Sequence, residues 1–173
     1  MKRFQRIMVI GCCGAGKSTL SRRIASITDL PVIHLDQHFW KPGWVESAKD
    51  EWTQKVKALA EQDEWIIDGN YGGTMDVRID RADAIIYLDY PTWKCLWRVI
   101  SRTFRYLDKV RPDMVKGCPE RFDISFLHYV LIFNMTRRKS VMDKLKSSPV
   151  PETVFVIKDD RELYSLINGF KNS

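Results

Sequence analysis

This 173-residue sequence predicts an α/β fold, a doubly wound sheet of about five parallel strands between layers of helices. Three observations predict it. Five short segments are near-continuous runs of apolar and β-branched residues, as suits strands covered on both faces. Amphipathic stretches of helical period separate most of them. And the first run ends in a glycine-rich turn that opens directly into such a helix.

The first strand is "RIMVIG" (6–11), and the helix after it runs from Lys17 to Ile27. "PVIHLD" (31–36) is the second strand, followed by a helix over Ser47 to Gln62. "EWIIDG" (64–69) and "DAIIYLD" (83–89) are the third and fourth. Helices are expected over Pro91 to Leu107 and Glu120 to Leu145. "ETVFVIK" (152–158) completes the sheet, and Asp160 to Phe170 forms a last helix. With no repeat, low-complexity tract or long linker, the chain reads as a single domain over 1–173.

Composition narrows the class. An apolar content of 45% with 29% charged residues is that of a soluble globular domain and excludes a disordered chain. The longest later apolar run, Phe126 to Met135, is too short to span a bilayer. Met1 to Cys12 has basic residues and then an apolar stretch, but leads into the glycine turn rather than a cleavage site, so a cytoplasmic protein is expected. Cys12, Cys13, Cys95 and Cys118 have neither disulfide-framework nor zinc spacing. A net charge of +6 favours anionic partners without naming them.

"GCCGAGKS" fits G-x-x-x-x-G-K-[ST], the nucleotide phosphate loop of P-loop NTPases, with their three-layer architecture. Its glycines let successive backbone N–H groups converge on phosphate oxygens, and the following helix adds its N-terminal partial charge. Gly11, Gly14, Ala15, Gly16, Lys17, Ser18 and Thr19 are therefore candidate ATP contacts. Lys17 reaches toward the β- and γ-phosphates, and the Ser18 hydroxyl is a candidate Mg²⁺ ligand. At the third strand's end Asp68 is placed to hold Mg²⁺ through water, or simply to cap a turn.

The chain resembles the adenylate-kinase-like P-loop kinases, and within them the bacterial DNA topology modulation proteins. The resemblance rests on "GCCGAGKSTL", "VIHLDQHFWKPGW", "WIIDGNY" and "ADAIIYLDYPTWKCLWRVISR". It implies an ATP-dependent kinase. Arg98 and Arg102, four apart and so on one helical face, would lie over the adenine and against phosphates respectively. "KVRPDMVKGCPERFD" would be a short helical or loop lid, about 102–125, whose Arg111 and Arg121 face the transferring phosphoryl group. For either arginine a surface salt bridge is an equal reading.

The acceptor region spans about 34–80. Adenylate kinases continue their third-strand motif as Asp-Gly-Phe-Pro-Arg, whereas this chain reads Asp68-Gly69-Asn70-Tyr71 with Arg78 the next arginine, which puts AMP in doubt. Asp36 resembles the aspartate that shikimate and gluconate kinases set against a substrate hydroxyl. A hydroxyl acceptor must lose a proton, which a carboxylate can take. Asp36 thus favours a hydroxyl, while Arg78 leaves a phosphate acceptor open. Phe39, Trp40 and Trp44 either stack on the substrate or foot their loop, and Asn70 is a further candidate contact. His34 reads as packed. The competing reading is an NTP-binding regulatory protein that associates with DNA through two basic groups, Arg98 to Arg111 and Arg137 to Lys146. No base-reading motif accompanies them, so nucleic acid is not the favoured partner. The oligomeric state stays open.

Overall fold

The computed structural model describes residues 4–171. In chain order its elements are β1 (Arg6–Gly11), α1 (Lys17–Thr28), β2 (Val32–His34), α2 (Leu35–Phe39), β3 (Trp40–Lys41), β4 (Val45–Glu46), α3 (Lys49–Ala60) and β5 (Trp65–Asp68). Then come α4 (Met75–Ile79), β6 (Ala84–Leu88), α5 (Thr92–Tyr106), α6 (Ile124–Thr136), α7 (Arg138–Lys146), β7 (Val154–Ile157) and α8 (Asp160–Lys171). The main sheet has the order β2-β5-β1-β6-β7, with every neighbouring pair parallel. The fold is therefore the doubly wound α/β sheet expected, with β1 at its centre.

Strand alternation divides the core in two. Ile7 and Val9 of β1 and Ile86 and Leu88 of β6 face one layer with Leu20 and Ile24 of α1, Cys95 and Val99 of α5, Val130 and Phe133 of α6 and Ile167 of α8. Met8 and Ile10 of β1 and Ile85 of β6 face the other, with Trp52 and Val56 of α3, Ile79 of α4 and Val141 and Leu145 of α7. Both faces of the central strands are buried, which is why their sequences are apolar without a break.

Three departures matter for the site. The second strand stops at His34, because the chain turns at Leu35 into the one-turn helix α2 and then the small antiparallel hairpin β3–β4. The helix expected over Glu120 to Leu145 is two helices. Asp123 caps α6 by accepting a hydrogen bond from the Phe126 N–H at 3.1 Å, so the chain before it stays irregular. Arg137, at φ −113°, then separates α6 from α7. The lid also contains no helix of its own: α5 continues to Tyr106, and the lid is the loop 107–123, pinched by a bridge between Leu107 and Glu120.

Candidate active site

The glycine turn sits where β1 leaves the centre of the sheet. Gly11 has φ +146°, and a Cβ on it would stand 2.6 Å from the Leu88 carbonyl oxygen of β6. A side chain there is excluded, which lets the loop lie flat across the strand ends. Gly14 is closed in by Cys95 and Val99 of α5 in the same way. Gly16, left-handed at φ +99°, is the N-cap of α1, whose first turn carries no acidic residue to compete for the free N–H groups. The Lys17 ammonium is folded over the loop and donates to the carbonyl oxygens of Gly11 and Cys12, at 2.9 and 3.1 Å. These donors fit a phosphate chain, since the loop offers N–H groups and one cation with no side chain in the way.

Asp68 ends β5 beside Val9 of β1 and His34 of β2. Its carboxylate is buried, and its Oδ2 lies 2.8 Å from His34 Nδ1. Burial pulls the His34 pKa down, but the hydrogen bond and charge of Asp68 outweigh this and hold it above its ordinary value. The Ser18 hydroxyl donates to Asp113 Oδ2 of the lid at 3.3 Å. A hydroxyl beside a carboxylate, with a second carboxylate at the strand end, is a donor set of the hard oxygen type that suits Mg²⁺. Burial raises the Asp113 pKa, but Arg111, His34 and Arg102 more than offset that and keep it below the usual range.

The arginines of α5 and the lid meet on one buried acid. Glu120 accepts from Arg102 at 3.1 Å and from Thr103 at 3.2 Å through Oε1, and pairs with Arg111 at 2.6 Å through Oε2. Arg111 also donates to Asp113 at 2.8 Å. Arg98 reaches across from α5 to the Ala15 carbonyl at 3.2 Å and lies over the Tyr90 ring at 5.0 Å. A groove of about 340 Å³ beside it is lined by Trp97, Arg98, Ser101, Arg102, Arg105 and Tyr106. Arg121 stands apart. It is exposed, over the Trp44 ring and 3.9 Å from Asp123, which is the surface-pair alternative for that residue.

Asp36 lies on α2, one turn beyond the end of β2. Tyr71 donates its hydroxyl to Asp36 Oδ1 at 2.5 Å. Burial first, and then the neighbouring Asp36 charge, push the Tyr71 phenol pKa up, so it stays a donor. The Tyr71 backbone is left-handed at φ +37°, a strained conformation for an aromatic residue. Arg78 explains how the strain is held. Its guanidinium is fully buried and donates to the carbonyl oxygens of Gly69, Asn70 and Tyr71 at 2.7, 2.5 and 3.2 Å. The sequence reading of Arg78 as an acceptor-phosphate contact is corrected here: all these donors are turned inward onto the chain. The Asn70 side chain likewise accepts from the Gly11 N–H at 2.9 Å and ties this turn to the phosphate loop.

Phe39 packs in a triangle with Trp52 and Tyr71, ring centroids 4.8 to 5.1 Å apart, so it foots the loop. Trp40 and Trp44 stack edge to face on the hairpin at 5.3 Å. That hairpin is laced to the lid. Gly43 N–H donates to Gly117 O at 2.9 Å, Trp44 Nε1 to Pro119 O at 3.1 Å, and Gln37 to Pro112 O at 2.9 Å.

No protein-family model matches this chain, and no curated protein does. Solved structures match it along nearly its full length. A shikimate kinase from Acinetobacter baumannii in complex with shikimate is 15% identical with TM-score 0.59, over 98% of this chain and 94% of its own. One from Bacteroides thetaiotaomicron is 15% identical with TM-score 0.58, over 98% and 97%. A gluconokinase from Sinorhizobium meliloti 1021 is 15% identical with TM-score 0.55, over 99% and 92%. The fold is that of the P-loop kinases.

Sequence reasoning did not find Tyr71, Asp113 or Glu120, nor the pairing of His34 with Asp68. Tyr71 follows Asp68 by three residues and was within reach as a polar aromatic in the strand-end turn. Glu120 and Asp113 carried no local signal, because their partners lie in other elements. A cavity of about 680 Å³ lies away from all these groups, with Asp76, Lys139 and Lys144 in its lining. Among the described residues no helix is long and apolar enough to cross a membrane, and no cluster of three or more His, Cys, Asp or Glu could hold a metal.

Proposed function

We propose that the protein is an ATP-dependent kinase that transfers the γ-phosphoryl group to a hydroxyl of a small metabolite. The observation that carries this reading is the Asp36 carboxylate. It follows the strand next to β5, is held by Tyr71, and leaves Oδ2 for an acceptor. The solved neighbours, shikimate kinases and a gluconokinase, are named for hydroxylated metabolites and support the same class. We assign 1–173 to one kinase domain, with acceptor contacts from about 34–80 and a lid from about 102–125.

In the reaction, the acceptor oxygen attacks the γ-phosphorus, the bond from that phosphorus to the β–γ bridging oxygen breaks, and ADP leaves. Asp36 orients the acceptor hydroxyl and takes its proton. Backbone N–H groups from Gly11 to Thr19 cradle the phosphates, and Lys17 swings from its two carbonyl contacts onto their charge. Ser18 and, through water, Asp68 would hold Mg²⁺, which supplies neutralising charge between the phosphates. Arg102 and Arg111, aligned by Glu120, stabilise the charge that develops on the transferring group. Arg98 covers the base.

The finer resemblance to DNA topology modulation proteins is part of this proposal as kinship only. DNA association receives no support from the basic groups. Arg138 is bound to Asp89, Lys144 to Asp76, and Arg98 to Asp160. The test is Mg·ATP turnover on a panel of polyols, sugar acids, nucleosides and nucleoside monophosphates, with Lys17→Ala as control. A hydroxyl compound that raises ADP release, lost in the control, is the expected result. Turnover raised only by monophosphates would overturn the hydroxyl assignment.

A further inference from the structure

The layer of helices above β1 and β6 has an outward face as apolar as its inward one. Helix α6, "ISFLHYVLIFNMT", contains no Asp, Glu, Lys or Arg. Val130 and Phe133 point into the core, yet Ile124, Leu131 and Met135 on the opposite side are 51% to 85% exposed. A helix that is apolar all round belongs in an interior, and here the chain itself covers only half of it. At about 20 Å, α6 is too short to be a bilayer span of about 30 Å.

The neighbouring α5 repeats the pattern. Trp93, Trp97 and Phe104 are 66% to 72% exposed. Their spacing, with Ile100 between, is i, i+4, i+7, i+11, and Ile124, His128, Leu131 and Met135 have that same spacing on α6. Each set is one narrow stripe of its helix. The two helices pack on one another, and their inward residues share one core cluster, so both stripes lie on one surface. The cations of α5 are turned away from it, Lys94 and Arg98 to Asp160 and Arg102 to Glu120.

We infer that this α5–α6 face is a homodimer interface, occupied by a second copy of the chain across a twofold axis. Two arguments select a second copy. The six large side chains expose on the order of 900 Å², which matches the roughly 800 Å² that each partner contributes to a stable interface and exceeds the usual patch on a monomer. Equal stripe spacing on two adjacent helices also makes the face self-complementary, because ridges of one copy enter grooves of the other in a four-helix arrangement. A peripheral membrane helix would instead carry its Lys and Arg beside the apolar stripe, and α6 has none. This inference does not depend on the proposed reaction.

The test is the solution mass of the full chain by sedimentation velocity across about 1 to 100 μM. Leu131→Glu and Trp93→Glu are compared with the unsubstituted protein, and circular dichroism checks that each variant is folded. Both sites are exposed, so each variant keeps its fold, while a carboxylate buried against the partner weakens association at least about 100-fold. The expected result is twice the 20.3 kDa chain mass, falling to one chain mass in both variants. A monomer throughout the range overturns the inference, whether or not it sediments with anionic vesicles. So does a dimer that both variants leave intact.

Discussion

The phosphate loop and the strap formed by the β3–β4 hairpin and the lid face the same space, but they are built differently. Residues 11–19 are shaped by their own backbone: three glycines at positive φ, a carbonyl-bound lysine, and a helix start without competing acids. The strap is shaped by partners far away in sequence. Gln37 holds Pro112, Trp44 holds Pro119 and Glu120 holds Arg102 and Arg111. A site that any nucleoside triphosphate can use needs only a local motif. A site that selects an acceptor needs groups brought from several elements, and the comparison shows where each kind of information is stored.

The largest effects should come from the reacting groups on the two sides. Lys17→Ala is expected to lower ATP turnover by about 10³-fold with or without acceptor. Asp36→Asn should lower acceptor-dependent turnover by about 10²–10⁴-fold and leave ATP affinity within about twofold. If both variants lost ATP binding equally, the two regions would be one site and the comparison would break.

Arg78→Met probes what holds the acceptor side together. It strips three carbonyl oxygens of a buried partner, so urea denaturation should show a loss on the order of 3 kcal/mol. Tyr71→Phe is milder, since the ring keeps its packing on Phe39 and Trp52. It should lower acceptor-dependent kcat about tenfold with little change in Tm, sharpening the role of the hydroxyl on Asp36.

The smallest effect concerns pH. The His34 pKa is raised in the folded chain above its ordinary 6.5. The stability it contributes is therefore complete below that value and fades as pH rises through the higher folded one. The stability difference between the unsubstituted protein and His34→Asn should be larger at about pH 5.5 than at about pH 8. A difference that is flat with pH would remove the charged pair with Asp68.

The sheet was legible because its strands are buried on both faces, and "RIMVIG" matches β1 residue for residue. So was the phosphate loop, whose function follows from twelve consecutive residues. Arg78 misled, because an arginine near an acceptor site is read as a ligand until burial shows its guanidinium clamped on carbonyls. The lid misled in part as well. Nothing in "PERFDISF" announces that Asp123 caps a helix while Glu120, three residues earlier, is drawn into the interior by two arginines. Phe39 was open between substrate and footing, and only its contacts with Trp52 and Tyr71 decide for footing.

The central claim is that Asp36 serves the acceptor and the loop at 11–19 serves ATP. The most direct measurement is the pair of values ATP affinity and acceptor-dependent ADP release for Asp36→Asn beside the unsubstituted protein. The account predicts near-equal ATP affinity with turnover reduced at least about 100-fold. Undiminished turnover in Asp36→Asn would contradict it.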